Sequence, residues 1–135
     1  MTKNKIRYFK VDKLIRDKWP ETMEGWGVTL SCRTMDEEEY AQRLKKKLVE
    51  EAEEVANASD VKQICEELAD VFEVMDCLAR ANGLTFSDII AAADKKRAEK
   101  GGFDKRIYSD LATLEDGHPN IAYYKAQADK YPEVG

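Results

Sequence analysis

Apolar residues recur at helical spacing along two consecutive stretches of the chain. Leu44, Leu48, Ala52 and Val55 form one stripe. In the next stretch Ile64, Leu68, Phe72 and Met75 form one row, and Val71, Val74 and Leu78 form another. Asp36 precedes the first stretch with Glu39 three residues on, an N-cap signature. Glu37–Glu39 suit the positive end of a helix dipole. The pattern predicts a helix from Asp36 to about Ala58. Ser59 or Asp60 then caps a second, which stops at Asn82-Gly83. So short a link implies an antiparallel hairpin.

Thr85, with Asp88 three residues on, opens a third helix through IIAAADKKRAEK to Gly101-Gly102. Residues 121–130 suggest a last short helix. Before the hairpin the pattern is weaker. Residues 1–12 read as extended. A turn follows at Leu14–Lys18, Pro20 opens a brief helix, and Val28–Thr34 alternates like a short strand at Val28, Leu30 and Cys32. The chain is therefore expected to be all-α in its main body. The second helix is apolar over more than half its circumference, whereas a surface helix needs a single stripe. A second subunit is the natural cover, which predicts a helical bundle completed by homo-oligomerisation.

Four acids break this pattern. Glu51 and Glu54 lie on the first helix, Glu67 and Asp70 on the second, each pair at i, i+3 and so on one face of one turn. At roughly 100° per residue, Glu51 falls inside the apolar stripe and Glu54 at its edge. Glu67 heads the row continued by Val71, Val74 and Leu78, and Asp70 borders it. Carboxylates aimed at an apolar interior need compensation. The hairpin lets the two pairs face each other, and a divalent cation is the simplest partner for all four. Their hard oxygens suit Mg²⁺, with Mn²⁺ as the alternative. Glu37–Glu39 and Glu53 read instead as a solvated helix face.

At 135 residues the chain is read as one domain, 1–135. The net charge of −5 argues against a general nucleic-acid binder. No apolar run reaches the length of a membrane span. The basic N-terminus lacks the apolar core of a signal peptide. Cys65 and Cys77 share one predicted helix, about 18 Å apart at 1.5 Å per residue, too far to bridge. With Cys32 they read as reduced thiols of a cytoplasmic protein. His118, the single histidine, sits in the turn sequence Gly-His-Pro-Asn. Lys95, Lys96, Arg97 and Lys100 end a helix, where cations suit the dipole anyway. Arg16 and Lys18, in an irregular segment beside Asp17, have no such excuse. Tyr123, Tyr124 and Tyr131 are expected to pack rather than stack on a base.

Taken in order, LIRDK, KLVEEAEEV, EELADV, KKRAEKGGF and KRI resemble the all-α nucleoside triphosphate pyrophosphohydrolases. These include the MazG-like proteins and phosphoribosyl-ATP pyrophosphohydrolase. The resemblance spans residues 14–107. It implies a MazG-like helical domain, assembled as a homodimer or homotetramer, that cleaves a nucleotide between its α- and β-phosphates. It further implies that Glu51, Glu54, Glu67 and Asp70 hold magnesium and that Glu50 orients ligands or water. Arg16, Lys18, Lys47, Lys96, Arg97 and Lys100 are the candidate substrate-binding residues. The chain departs from the family at Lys100, where arginine is frequent, and at Trp19, where an aliphatic residue usually precedes the proline. Two alternatives stand beside a magnesium-dependent nucleoside triphosphate pyrophosphohydrolase. One is the phosphoribosyl-ATP hydrolase of histidine synthesis; the other is a non-enzymatic helical dimerisation or regulatory module.

Overall fold

The computed structural model describes residues 4–135. Of the stretch expected to be extended, residues 1–3 lie outside the described residues; residues 4–12 form no helix. The elements in chain order are α1 (Trp19–Gly25), α2 (Glu37–Asn57), α3 (Val61–Ala81), α4 (Phe86–Lys100) and α5 (Ile121–Ala126). The described residues contain no strand. Residues 28–34 are unpaired coil, which corrects the expected Val28–Thr34 strand. An alternating stretch becomes a strand by finding a ladder partner, and among the described residues it finds none.

Local chemistry sets the helix ends. The Asp36 carboxylate accepts from the Glu39 amide at 2.8 Å, and Arg33 forks onto the Glu39 side chain through two contacts of 2.6 Å. Asp60 caps α3 by accepting from the Gln63 amide at 2.8 Å, while Gln63 Oε1 reaches back to the Ser59 amide at 3.2 Å. α3 ends in a Schellman motif. The Leu84 amide donates to the Ala79 carbonyl at 2.9 Å and the Gly83 amide to the Arg80 carbonyl at 3.0 Å. Gly83 takes the left-handed conformation this closure needs, at φ +74°. Thr85 and Asp88 complete the reciprocal cap of α4, at 2.8 and 3.2 Å.

Two compact units divide the chain, the first reaching to Glu99 and the second spanning Lys100–Gly135. In the first, α2 and α3 pack antiparallel; among the described residues no other helices pack along their lengths. Tyr40 near the start of α2 meets Cys77 near the end of α3, and burial followed by that contact raises the Tyr40 hydroxyl pKa. Leu44, Val74 and Ala79 are buried. Ala52, expected in the α2 stripe, is exposed. It lies roughly 100° around the helix from Glu51, beyond the face that α3 covers. Phe86, at the start of α4, packs on Phe72 of α3 with ring centroids 4.5 Å apart. In the second unit Tyr123, Tyr124 and Tyr131 pack on one another at centroid distances of 5.3, 5.4 and 6.2 Å. His118 Nδ1 accepts from the Asn120 amide at 3.0 Å, a turn contact.

Candidate metal centre

The hairpin brings acids from its two helices together. One carboxylate oxygen from each of Glu51, Glu67 and Asp70 lies within 4.8 Å of the others. Opposite ligands of magnesium stand about 4 Å apart, twice a metal–oxygen distance of about 2.0–2.1 Å. The observed spread is within a small side-chain adjustment of that figure. An all-oxygen donor set also matches the chemistry of Mg²⁺ or Mn²⁺. Glu51 is 9% exposed, the one charged residue in the core of the described chain. Glu67 and Asp70 are half-buried. Glu54 is exposed and stands outside the group of three. Its charge still reaches the site, because it is among those acting on Glu67.

Compensation among these acids is uneven. Lys47, whose side chain is 18% exposed, places its Nζ 3.4 Å from Glu51 and 3.5 Å from Glu50. Lys13 Nζ lies 3.3 Å from Glu50. Arg16 donates to Asp70 Oδ1 at 2.5 Å. Glu67 has no basic partner among the described residues. Burial, and then the charges of Asp70, Glu54, Glu51 and Glu66, push its carboxyl above the usual range.

The other candidates lie as follows. Lys18 is exposed at the start of α1, its carbonyl accepting from the Thr22 hydroxyl at 3.0 Å. Lys96 is exposed on the last turns of α4, and Arg97 pairs there with Asp94 at 3.4 Å. Lys100 closes α4 and opens the second unit. Lys13 is a residue that sequence reasoning missed. It reaches Glu50 across 37 positions from a segment without periodicity, and no local pattern announces such a contact. Beside it a groove of about 280 Å³ is lined by Lys13, Arg43, Lys46, Lys47, Glu50 and Glu53, among others.

A family model for phosphoribosyl-ATP pyrophosphohydrolase matches residues 12–97, well over half of the chain. The chain belongs to that family. It is thereby a member of the MazG-like all-α superfamily and a pyrophosphohydrolase, an enzyme of phosphoric anhydride bonds. The matched region contains every acid of the centre, together with Lys13, Arg16 and Lys47. It stops short of Gly101-Gly102-Phe103 and Lys105-Arg106-Ile107, on which the sequence resemblance also rested. No curated protein matches the chain. No solved structure matches it either.

The environment of Glu67 gives a stability prediction. A carboxyl with a raised folded pKa favours the fold below its ordinary value of 4.5. That contribution is lost as pH rises through the folded value. In a chelator at neutral pH, Glu67→Gln is therefore expected to melt at or above the wild-type temperature, the gap closing on acidification. Added magnesium should then raise the wild-type melting temperature far more than the variant's. Thermal unfolding with and without metal, at several pH values, checks both expectations.

Proposed function

We propose that the protein is a magnesium-dependent nucleoside triphosphate pyrophosphohydrolase. The observation that carries this reading is Glu67, a half-buried carboxylate set among other acids and without a basic partner among the described residues. Such a group is stabilised most simply by a divalent cation, which Glu51, Glu54, Glu67 and Asp70 would hold. When bound, magnesium neutralises charge on the substrate phosphates and lowers the pKa of an attacking water. Mn²⁺ would suit the same oxygens.

The residues of the chain have distinct parts in this reading. Glu51, Glu67 and Asp70 fix the position of the reacting centre from two helices. Glu50, held between Lys13 and Lys47, orients water or a ligand. Lys47 supplies fixed positive charge beside Glu51. Arg16, Lys18, Lys96 and Arg97 are the proposed contacts of the phosphate chain. A water oxygen forms a bond to the α-phosphorus as the bond from that phosphorus to the bridging oxygen breaks. The bridging oxygen leaves with the electron pair on pyrophosphate, and the proton of the attacking water passes to solvent or a neighbouring carboxylate. The products are a nucleoside monophosphate and pyrophosphate. Among the described residues no serine, cysteine or histidine stands in a setting suited to a covalent route, which favours direct attack by water.

An oligomer completes the proposal. Val61, Ile64, Leu68 and Phe72 share one face of α3 and are 84%, 37%, 50% and 52% exposed. An apolar stripe of this kind suits a protein interaction surface, and a homodimer or homotetramer would cover it. The free thiols Cys32, Cys65 and Cys77 fit a reducing, cytoplasmic setting. No helix among the described residues is long and apolar enough to cross a membrane.

The family match keeps phosphoribosyl-ATP as the second substrate reading. Pyrophosphate release from a panel of ribo-, deoxy- and damaged nucleoside triphosphates, with phosphoribosyl-ATP alongside, decides between them. The proposal expects magnesium-dependent release from at least one triphosphate. Turnover of phosphoribosyl-ATP alone would transfer the assignment to histidine synthesis. No release from any compound would favour the regulatory module.

A further inference from the structure

The two cations nearest the acidic centre are built differently. Lys47 lies on α2 itself, one turn before Glu51, and its side chain is 18% exposed. Packed in that way, it is held beside its acids. Arg16 comes from the irregular segment that precedes α1, 54 positions away in sequence from its partner Asp70. Its side chain is 62% exposed, and that of Asp70 is 36% exposed. An ion pair so open to water is weakly held, so its guanidinium is free to change partners.

Asp70 has two claims upon it. It is one of the three acids whose oxygens converge, and it is the acceptor of Arg16. A divalent cation on that carboxylate reduces its attraction for the guanidinium and repels the guanidinium directly. Arginine remains charged at any working pH and presents a planar fork of donors that matches phosphate oxygens as well as carboxylate. A polyphosphate bound at the same centre would be the strongest acceptor within its reach.

We infer that Arg16 is an exchangeable cation, which pairs with Asp70 until a divalent cation takes that carboxylate and then transfers to the phosphate chain of the substrate. The inference rests on the proposed metal reading of Glu51, Glu67 and Asp70. It makes Arg16 a coupling residue between metal and substrate. The competing role is a fixed contact that orients Asp70, and the two roles predict opposite signs. Under exchange, removing the guanidinium frees Asp70 and strengthens metal binding while weakening polyphosphate binding. Under fixed orientation, its removal weakens both.

The test uses the full chain and two probes, Mn²⁺ alone and inorganic tripolyphosphate in excess magnesium. Free Mn²⁺ is followed by electron paramagnetic resonance and tripolyphosphate binding by calorimetry. The Arg16→Gln variant is expected to bind Mn²⁺ two- to five-fold more tightly than wild type, roughly what release from an exposed ion pair allows. It should bind tripolyphosphate roughly ten-fold more weakly, the effect of losing a charged hydrogen bond. Lys5→Gln removes the same charge from an exposed position and controls for long-range electrostatics; both affinities should stay near wild type. Metal binding by Arg16→Gln that is weaker than wild type, or unchanged, overturns the exchange. If wild type itself binds no Mn²⁺, the metal reading fails and the exchange fails with it.

Discussion

Glu67→Gln and Asp70→Asn should each lower magnesium-dependent release of pyrophosphate by at least two orders of magnitude. Both substitutions preserve side-chain shape and remove one charge. Metal positioning contributes several kcal/mol to a transition state of this type, and each 1.36 kcal/mol is about a factor of ten in rate. The loss should appear in kcat at saturating substrate while far-ultraviolet circular dichroism remains helical. Glu54→Gln should lose less than Glu67→Gln, because Glu54 is exposed and outside the three converging oxygens. Glu38→Gln, exposed in the first turn of α2, should retain full activity. Full activity in both Glu67→Gln and Asp70→Asn would place the reacting centre elsewhere.

The second large effect concerns assembly. Leu68→Glu is expected to turn the proposed oligomer into a monomer at micromolar concentration. Burying a leucine contributes about 1.5–3 kcal/mol. In a two-fold interface the same substitution occurs twice. At 1.4 kcal/mol per factor of ten, the dissociation constant should rise roughly 10²- to 10⁴-fold. The introduced charge adds to that loss when the interface closes over it. Sedimentation or light scattering across a concentration series reads the result. A wild-type mass corresponding to a single chain at tens of micromolar would contradict the proposed oligomer.

The helices could be read from the sequence where their signals are local. Asp36, Asp60 and the Thr85/Asp88 pair cap helices within three residues of themselves, and the structure has each cap in place. Gly83 closes α3 by the same kind of short-range chemistry. The acidic centre was legible because two local facts combine: i, i+3 pairs share a face, and a short link forces the helices antiparallel. Convergence of individual side chains was not, since it depends on the rotation of each helix against the other. That rotation brings Glu51, Glu67 and Asp70 within a common distance and leaves Glu54 and Ala52 exposed.

Segments without periodicity were the least readable. Alternation over Val28–Thr34 suggested a strand, but strand formation needs a partner that the described chain does not provide. Arg16 stands out in the sequence because it lacks a structural excuse. Its pairing with Asp70, like that of Lys13 with Glu50, is a contact across the chain that no window of sequence contains. The charged residues around the centre therefore come from three places: the two helices, whose patterns revealed them, and an irregular segment, whose pattern did not.

The central claim is that the acids of the α2–α3 hairpin hold a divalent cation. Its most direct test is stoichiometric Mn²⁺ binding to the full chain, followed by electron paramagnetic resonance and compared between wild type and Glu67→Gln. Saturable binding by wild type, displaced by Mg²⁺ and lost or strongly weakened in Glu67→Gln, is the predicted result. Equal binding by the two proteins would contradict the account.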